Sequence, residues 1–386
     1  MTAESVTPAL RTHQPVHRSD EATFVLTRYA DVLAVLRDSR FSANPAHATL
    51  RPADAVSAPA RSAGSALMLF MDPPDHTRLR RLVSKAFTPK AVEALRPRVA
   101  EIVDDLLDEF ADRAREGAVD LIASVAYPLP VVVICEMLGV PAEDRDQFHQ
   151  WSADATRLLD ADLDDETFQR GAIAGMHFHH YFSELFEERR RAPRDDMLTA
   201  LLAAEEAGDR LSDAELFATT ILLFVAGHET TVNLLGNGTL GLLRHPDQFQ
   251  GLAADPSLAR SATDELLRYD SPVQVTARAA TADAEVAGQP IRKGEQVVLS
   301  LAGANRDPDR FPDPDRLDLA RPDNHHVAFS HGIHHCLGAA LARLEGEVFF
   351  TALTRRFPDL ELATDALSYR DHFVLRGLSA LPLTLG

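Results

Sequence analysis

Phe329-Ser330-His331-Gly332-Ile333-His334-His335-Cys336-Leu337-Gly338 is the stretch on which the reading of this chain turns, because it carries one of only two cysteines to the mouth of a helix. The helical pattern that follows is Ala-rich and runs over residues 339–357. Free N–H groups and the macrodipole at a helix start favour thiolate over thiol. Gly332 and Gly338 permit a tight turn and a close approach of backbone to a flat ligand. A thiolate in that setting is a good axial ligand for haem iron. Two other readings stay open on these residues alone. His331, His334, His335 and Cys336 offer four potential zinc ligands, although zinc sites usually draw on two segments and the adjacent His335 and Cys336 cannot easily share one tetrahedron. A surface histidine tract would need no ligand at all.

Outward from this loop, the composition narrows the field. The other cysteine, Cys135, lies in the apolar run Val131-Val132-Val133-Ile134 and reads as a small buried hydrophobe. Two cysteines in 386 residues do not make a disulfide framework. Apolar residues are 45% and charged residues 25%, ordinary for a globular chain able to bury a sizeable core. The charge balance is 39 − 58 = −19, which sets the chain as a whole against nucleic acid and anionic membrane. The N-terminus has Glu4 and no apolar segment, so no signal peptide is read. The longest apolar stretch, residues 216–227, is interrupted by Thr219 and Thr220 and ends at His228-Glu229, too short and too polar to span a bilayer. A cytoplasmic protein is expected.

The periodicity is mostly helical. A strand is predicted over 23–26 and a helix over 29–37. Residues 42–66, rich in Ala, Pro and Ser, read as a long loop of the kind that is often functional. A helix is predicted with Asp72 as N-cap and Pro73 in its first turn, and another from Thr88-Pro89 to about Gly117. Further helical pattern covers 131–137, 142–159, 169–190, 257–269 and 339–357. The longest helix starts at the capping box Ser212-Asp213-Ala214-Glu215 and runs to about Leu243. Strands are sparse, at 296–301 and near Phe373 and Leu381. Without repeats or a Gly/Ser linker, the expectation is one mainly α domain over 1–386 with a minor β-sheet component, disorder being confined to the short N-terminal stretch 1–14.

Three more constellations could carry chemistry. In the long helix, Ala226-Gly227-His228-Glu229-Thr230-Thr231 places a mid-helix glycine, an acid and two β-branched hydroxyls after an apolar run, against local propensity. A buried carboxylate beside a hydroxyl could relay protons; a kinked helix with a threonine bonded back to a carbonyl is the plain alternative. Glu265 and Arg268, three apart, meet on a helix, an arrangement common on surfaces. His76 and Arg80, four apart, present two cationic donors or simply a solvated face.

These segments, in this order, closely resemble the bacterial soluble cytochrome P-450 family of haem-thiolate monooxygenases. The family's cysteine loop, Phe-x-x-Gly-x-(His/Arg)-x-Cys-x-Gly, is matched by Phe329, Gly332, His334, Cys336 and Gly338. Its (Ala/Gly)-Gly-x-(Asp/Glu)-Thr segment is matched by Ala226, Gly227, Glu229 and Thr230, and its Glu-x-x-Arg helix by Glu265 and Arg268. The likeness runs from Pro15-Val16-His17-Arg18 to the segment 373–383. It departs at the N-terminus, where only fourteen residues precede Pro15 in place of the family's fuller first helix.

The resemblance implies the cytochrome P-450 fold and heme b (iron protoporphyrin IX) bound through Cys336. It implies propionate contacts from His76, Arg80, Arg278 and His334, and a structural network of Glu265, Arg268 and Arg316. It also implies a proton path through Glu229 and Thr230. The implied substrate pocket is the 65–70 loop, Leu69 included, with Leu222, Val225, Ala226, Val273, Val275, Thr276, Phe373 and Val374. The implied reaction inserts one atom of O2 into a lipophilic small molecule, by hydroxylation or epoxidation in secondary metabolism. Electrons would come from a separate ferredoxin and its reductase, docking at Arg78, Arg81, Lys85 and Arg343. A peroxygenase, an oxidative coupling enzyme or a haem-binding sensor are the alternatives; the acid–hydroxyl pair favours dioxygen activation.

Overall fold

The computed structural model describes residues 9–20, 22–50, 67–85, 87–158, 164–206 and 209–386. Its axis is the helix Asp213–Leu243, 31 residues long, or about 46 Å at the α-helical rise. Both halves of the expected capping box form: Ser212 Oγ accepts from Glu215 N–H, and the Glu215 carboxylate accepts from Ser212 N–H. Its C-terminal half is buried on every side, from Val232 to Leu242. A helix apolar all round must be enclosed by other elements, and Pro128–Leu138, Ala259–Tyr269 and Ala339–Arg356 pack against it.

Several boundaries differ from the sequence reading. Asp72 does not cap a helix: the helix is Asp75–Ser84, capped at Pro74 without a side chain. The Asp72 carboxylate instead accepts from Ser42 Oγ at 2.5 Å and from Ala43 N–H at 3.2 Å. The helix expected from Thr88 is two, Pro89–Glu93 and Arg96–Ala114. Pro97, which has no N–H to give, sits in the first turn of the second and forces the break. A helix over Pro246–Ala254 was not anticipated, although proline in a first turn is itself a start signal. Residues 9–13, where disorder was expected, are helical, and Gln14 N–H donates to Leu10 O at 2.8 Å.

The sheet component is larger than expected. A five-stranded mixed sheet runs in the order Val16–Arg18, Thr23–Leu26, Gln296–Ser300, Val275–Ala280, Phe41–Ser42. Gln296–Ser300 is parallel to Thr23–Leu26, Val297 facing Phe24, and antiparallel to Val275–Ala280, Val298 facing Ala277. It stops at Ser300, whose hydroxyl caps the short helix Leu301–Asn305. Leu360–Leu362, Pro382–Leu385 and Val119–Asp120 form a second, three-stranded sheet. Near Phe373 there is only an isolated bridge between Val273 and Leu375.

A buried ionic hub ties the helix Ala259–Tyr269 to the chain leading into the cysteine loop. Arg268 donates Nε and Nη2 to the Glu265 carboxylate at 2.8 and 2.9 Å. The third member is Arg321, whose Nε reaches both Glu265 oxygens at 3.1 Å. Arg316, expected in that place, contributes only its carbonyl, which accepts from Arg268 and Arg321. Asn305 then passes the anchorage on: its Oδ1 accepts from Val327 N–H at 2.7 Å, two residues before Phe329. Among the described residues no helix is long and apolar enough to cross a membrane.

Candidate functional site

The cysteine loop is built by backbone geometry. Ser330 and Gly332 take left-handed φ values of 59° and 74°. A Cβ on Gly332 would stand 2.6 Å from the Leu36 carbonyl oxygen, so only glycine fits that turn. Cys336 N–H donates to Phe329 O at 2.9 Å and closes the loop. Gly338 caps the helix Ala339–Arg356, and the N–H groups of Gly338 and Ala339 point at the Cys336 sulfur. Burial pushes the thiol up; those N–H groups and the charges of Arg80 and Arg343 act against it. The residue is nonetheless solvent-accessible. Phe329 is buried beneath the loop, with the Arg343 guanidinium 4.6 Å over its ring.

The histidines of the loop disperse. His331 meets Arg37 at 3.1 Å, while the His334 ring packs on His76 with 4.3 Å between centroids. No group of three or more His, Cys, Asp or Glu side chains is placed to hold a metal ion among the described residues, so the zinc reading finds no ligand set.

His76, Arg80, Arg278 and His334 converge from three separated segments. His76 Nδ1 and His334 Nε2 are buried without a hydrogen-bond partner. Arg278, 8% exposed, donates only to neutral acceptors, Thr276 Oγ1 at 3.2 Å and Ala277 O at 2.7 Å. Burial lowers its guanidinium to about 10. Arg80 donates to the His335 carbonyl at 2.7 Å. Burial, then the charges of Arg278, His76 and Arg80, drive His334 down to about 3. No carboxylate hydrogen-bonds any of the four among the described residues. An unpaired buried guanidinium such as Arg278 costs several kcal/mol, and the two neutral histidines keep orphaned ring nitrogens, so the cluster suits a ligand that brings its own anions. Two carboxylates beside a metal-seeking sulfur, as on a haem, fit that donor set.

The opposite wall comes from the long helix. Leu222 and Val225 are half-buried, and Ala226 is exposed in mid-helix between buried turns, so this face lines a cavity. Thr230 Oγ1 donates to Ala226 O at 2.9 Å, and Thr231 Oγ1 to Gly227 O at 3.3 Å. No hydrogen bond joins Glu229 to Thr230. Glu229 is buried and accepts from Arg370 Nη1 at 2.7 Å, with His228 Nε2 3.6 Å from its other oxygen. Burial opposes its ionisation, but His228 and Arg370 prevail and hold the carboxyl near 2. Arg370 escaped the sequence reading, since nothing in its spacing marks it, and His228, quoted beside Glu229 there, was given no role.

The other expected pocket residues divide. Thr276 shares the sheet face of Arg278, and strand alternation turns Val275 to the opposite face. Phe373 is 59% exposed, Leu69 is exposed, and the Val374 carbonyl accepts from Gln274 N–H at 2.9 Å beside the Val273–Leu375 bridge. Ser65 and Ala66 lie outside the described residues. Of the expected docking patch, Arg81 and Lys85 are exposed. Arg78 is engaged by Glu215 and Asp209, and Arg343 donates to Asp264 at 2.7 Å.

The cytochrome P-450 family model matches residues 15–255 and 257–372. The chain is 48% identical to the vitamin D(3) 25-hydroxylase of Pseudonocardia autotrophica, covering 98% of this chain and 92% of that protein. It is 40% identical to the 6-deoxyerythronolide B hydroxylase of Saccharopolyspora erythraea, over 96% and 92% of the two. The structure of the bacillaene polyketide synthase cytochrome P-450 PksS of Bacillus subtilis 168 superposes with a TM-score of 0.90 at 41% identity, over 99% of this chain and 96% of that one. With near-full-length relatives, a shared fold and a cysteine loop beside a cluster of arginines and histidines that lacks a hydrogen-bonded carboxylate, the chain belongs to the cytochrome P-450 family of haem monooxygenases.

Proposed function

We propose that the chain inserts one oxygen atom of O2 into a bulky lipophilic small molecule, by hydroxylation or epoxidation, with heme b bound through Cys336. The observation that carries this reading is the juxtaposition of the Cys336 sulfur, met by two backbone N–H groups, with two guanidiniums and two histidines that have no hydrogen-bonded carboxylate among the described residues. A haem bound there supplies dioxygen activation, which a thiolate ligand favours by donating electron density. The chain's own residues do the rest. His76, Arg80, Arg278 and His334 hold the two propionates and fix the group's orientation. Gly338 and Ala339 N–H groups keep negative charge on sulfur.

On the opposite wall, Ala226 is exposed in mid-helix and would leave room beside the group. Leu222, Val225 and Val374 exclude water and shape the substrate's pose, and Phe373 stands at its edge. Glu229 takes up and delivers the proton, and Thr230, whose hydroxyl can rotate away from the Ala226 carbonyl, passes it inward. Relatives named for a vitamin D3 hydroxylation and for a macrolide-precursor hydroxylation support a polycyclic or macrocyclic lipophile of secondary metabolism as substrate. Electrons come from a separate ferredoxin and reductase, and the protein works in the cytoplasm.

The deciding measurement is the absorption spectrum of the dithionite-reduced protein under carbon monoxide. A strongly red-shifted Soret band is expected, and its loss in Cys336→Ser while haem is retained. A wild-type protein with haem but no such shift would overturn thiolate ligation by Cys336. Thr230→Ala is expected to raise the peroxide released per NADPH consumed, with the spectrum intact.

A further inference from the structure

A polar cleft of about 360 Å³ reaches from the surface to Glu229, and Asp154, Arg157, Arg170, Arg370, Asp371 and His372 line it. At about 30 Å³ per molecule that is room for on the order of ten waters. Glu229 is otherwise enclosed in the long helix at 4% exposure, so the cleft is its contact with solvent. At the meeting point the carboxylate is bound by Arg370 at 2.7 Å. The remaining ionisable groups facing it are His228, one residue back on the same helix, and Tyr127, from the segment preceding Pro128–Leu138.

We propose that Arg370 is the positioning residue for Glu229, and that the cleft beside them is the route by which solvent protons reach that carboxylate. The inference rests on the reading of Glu229 as the proton-delivering group.

The physical case has three parts. A carboxylate locked in a buried ion pair does not bind a proton near neutral pH, and the one here is held near 2. Removing the guanidinium leaves His228 as the group opposing burial, which raises a carboxyl, so the Glu229 carboxyl moves up. His228 is fixed in the helix by its bond to the Phe224 carbonyl, whereas Arg370 borders the cleft, so Arg370 is the partner whose release lets Glu229 take a proton. Second, release has a place to go, because the guanidinium already borders the cleft. A cleft water then protonates the carboxylate to the acid and regains its proton from bulk. The acid gives that proton onward toward Thr230, and the carboxylate re-forms its pair with Arg370. Third, the segment carrying Arg370 is tied at both ends to walls of the site. The Asp371 carbonyl accepts from Arg157, and three residues on, the Val374 carbonyl accepts from Gln274 N–H. A substrate pressing on Phe373 or Val374 thus bears on the same short segment that holds Glu229.

The test uses the haem-loaded enzyme and four variants: Arg370→Ala, Arg370→Lys, Glu229→Gln and Ala153→Trp, the last placing a bulky ring in the cleft from an exposed position. Turnover is followed against pH with peroxide release and the solvent deuterium isotope effect. Independently of turnover, the carboxylate infrared band of Glu229, assigned by its loss in Glu229→Gln, is titrated. In Arg370→Ala the band's titration is expected to rise by several pH units and the pH profile to move with it, Arg370→Lys restoring both. Ala153→Trp is expected to enlarge the isotope effect at unchanged Glu229 titration. The proposal is overturned if Arg370→Ala lowers only the melting temperature, leaving titration and profile at wild type, or if Ala153→Trp leaves the isotope effect unaltered. Wild-type coupling in Glu229→Gln would instead overturn the assignment of Glu229 itself, whatever the Arg370 variants do.

Discussion

Arg278 holds a charge where the fold gives it only a hydroxyl and a carbonyl to bond. Its replacement by methionine removes a charge-assisted contact to a haem carboxylate while relieving the chain of a buried cation. The two effects separate by measurement. Haem transfer to an acceptor apoprotein is expected to be about tenfold faster or more in Arg278→Met, from the ~1.5–3 kcal/mol of such a bond. The melting temperature of the haem-free form is expected to stay the same or rise. At this scale legibility was uneven. His76 and Arg80 could be paired from their spacing alone, yet spacing could not choose between a ligand site and a solvated face. The deciding partners, Arg278 and His334, lie some 200 and 250 residues further on, and only the family pattern brought them in. Arg370 shows the converse: its partner Glu229 is 141 residues away, and no local rule reaches that far.

Among the elements, the cysteine loop is the most constrained. Gly332→Ala would put a methyl group against the Leu36 carbonyl in a backbone region hostile to L residues. A destabilisation of ~1–3 kcal/mol is expected, read as a lower melting temperature together with poorer haem incorporation. Equal haem content and an unchanged melting temperature would contradict this account of the turn. The long helix was legible from its capping box, since Ser212 and Glu215 satisfy each other's neighbouring backbone within one turn. Short strands were not. Val275–Ala280 reads Val-Thr-Ala-Arg-Ala-Ala; it alternates over five residues, but most of its apolar positions are alanine, a poor strand former, and it is held by long-range pairing to Gln296–Ser300. The exchange of Arg316 for Arg321 in the Glu265 hub has the same origin. Both arginines sit in one irregular stretch, and which one turns inward depends on the path of the loop.

At the scale of the whole molecule, Glu345 registers how tightly the cysteine helix and the long helix are pressed together. It is wholly buried, bonded to Thr231, with Oε2 unpartnered, and burial pushes its carboxyl up to about 8. Its folded state keeps a proton that the unfolded chain releases above about pH 4.5. The sign follows: stability is greatest below that value and falls by ~1.4 kcal/mol per pH unit up to about 8. Glu345→Gln is expected to remove that slope, which denaturant titrations at pH 5 and pH 8 will reveal; identical slopes in the two proteins would contradict it. The fold class and the helical frame could be read from residue order because family motifs mark them. The charge balance between distant segments could not.

That balance has a consequence for the chain before it ever meets a substrate. Two guanidiniums, Arg80 and Arg278, and two histidines with orphaned ring nitrogens gather where the described polypeptide provides no hydrogen-bonded carboxylate. In a cell starved of iron or porphyrin, newly made chains carry those unmet groups around the loop of Cys336 and the helix of His76. Binding adds stability only in proportion to the free ligand available. Such chains are the ones that quality-control proteases reach first, so the amount of this protein in a cell should track its supply of porphyrin more closely than the level of its messenger RNA.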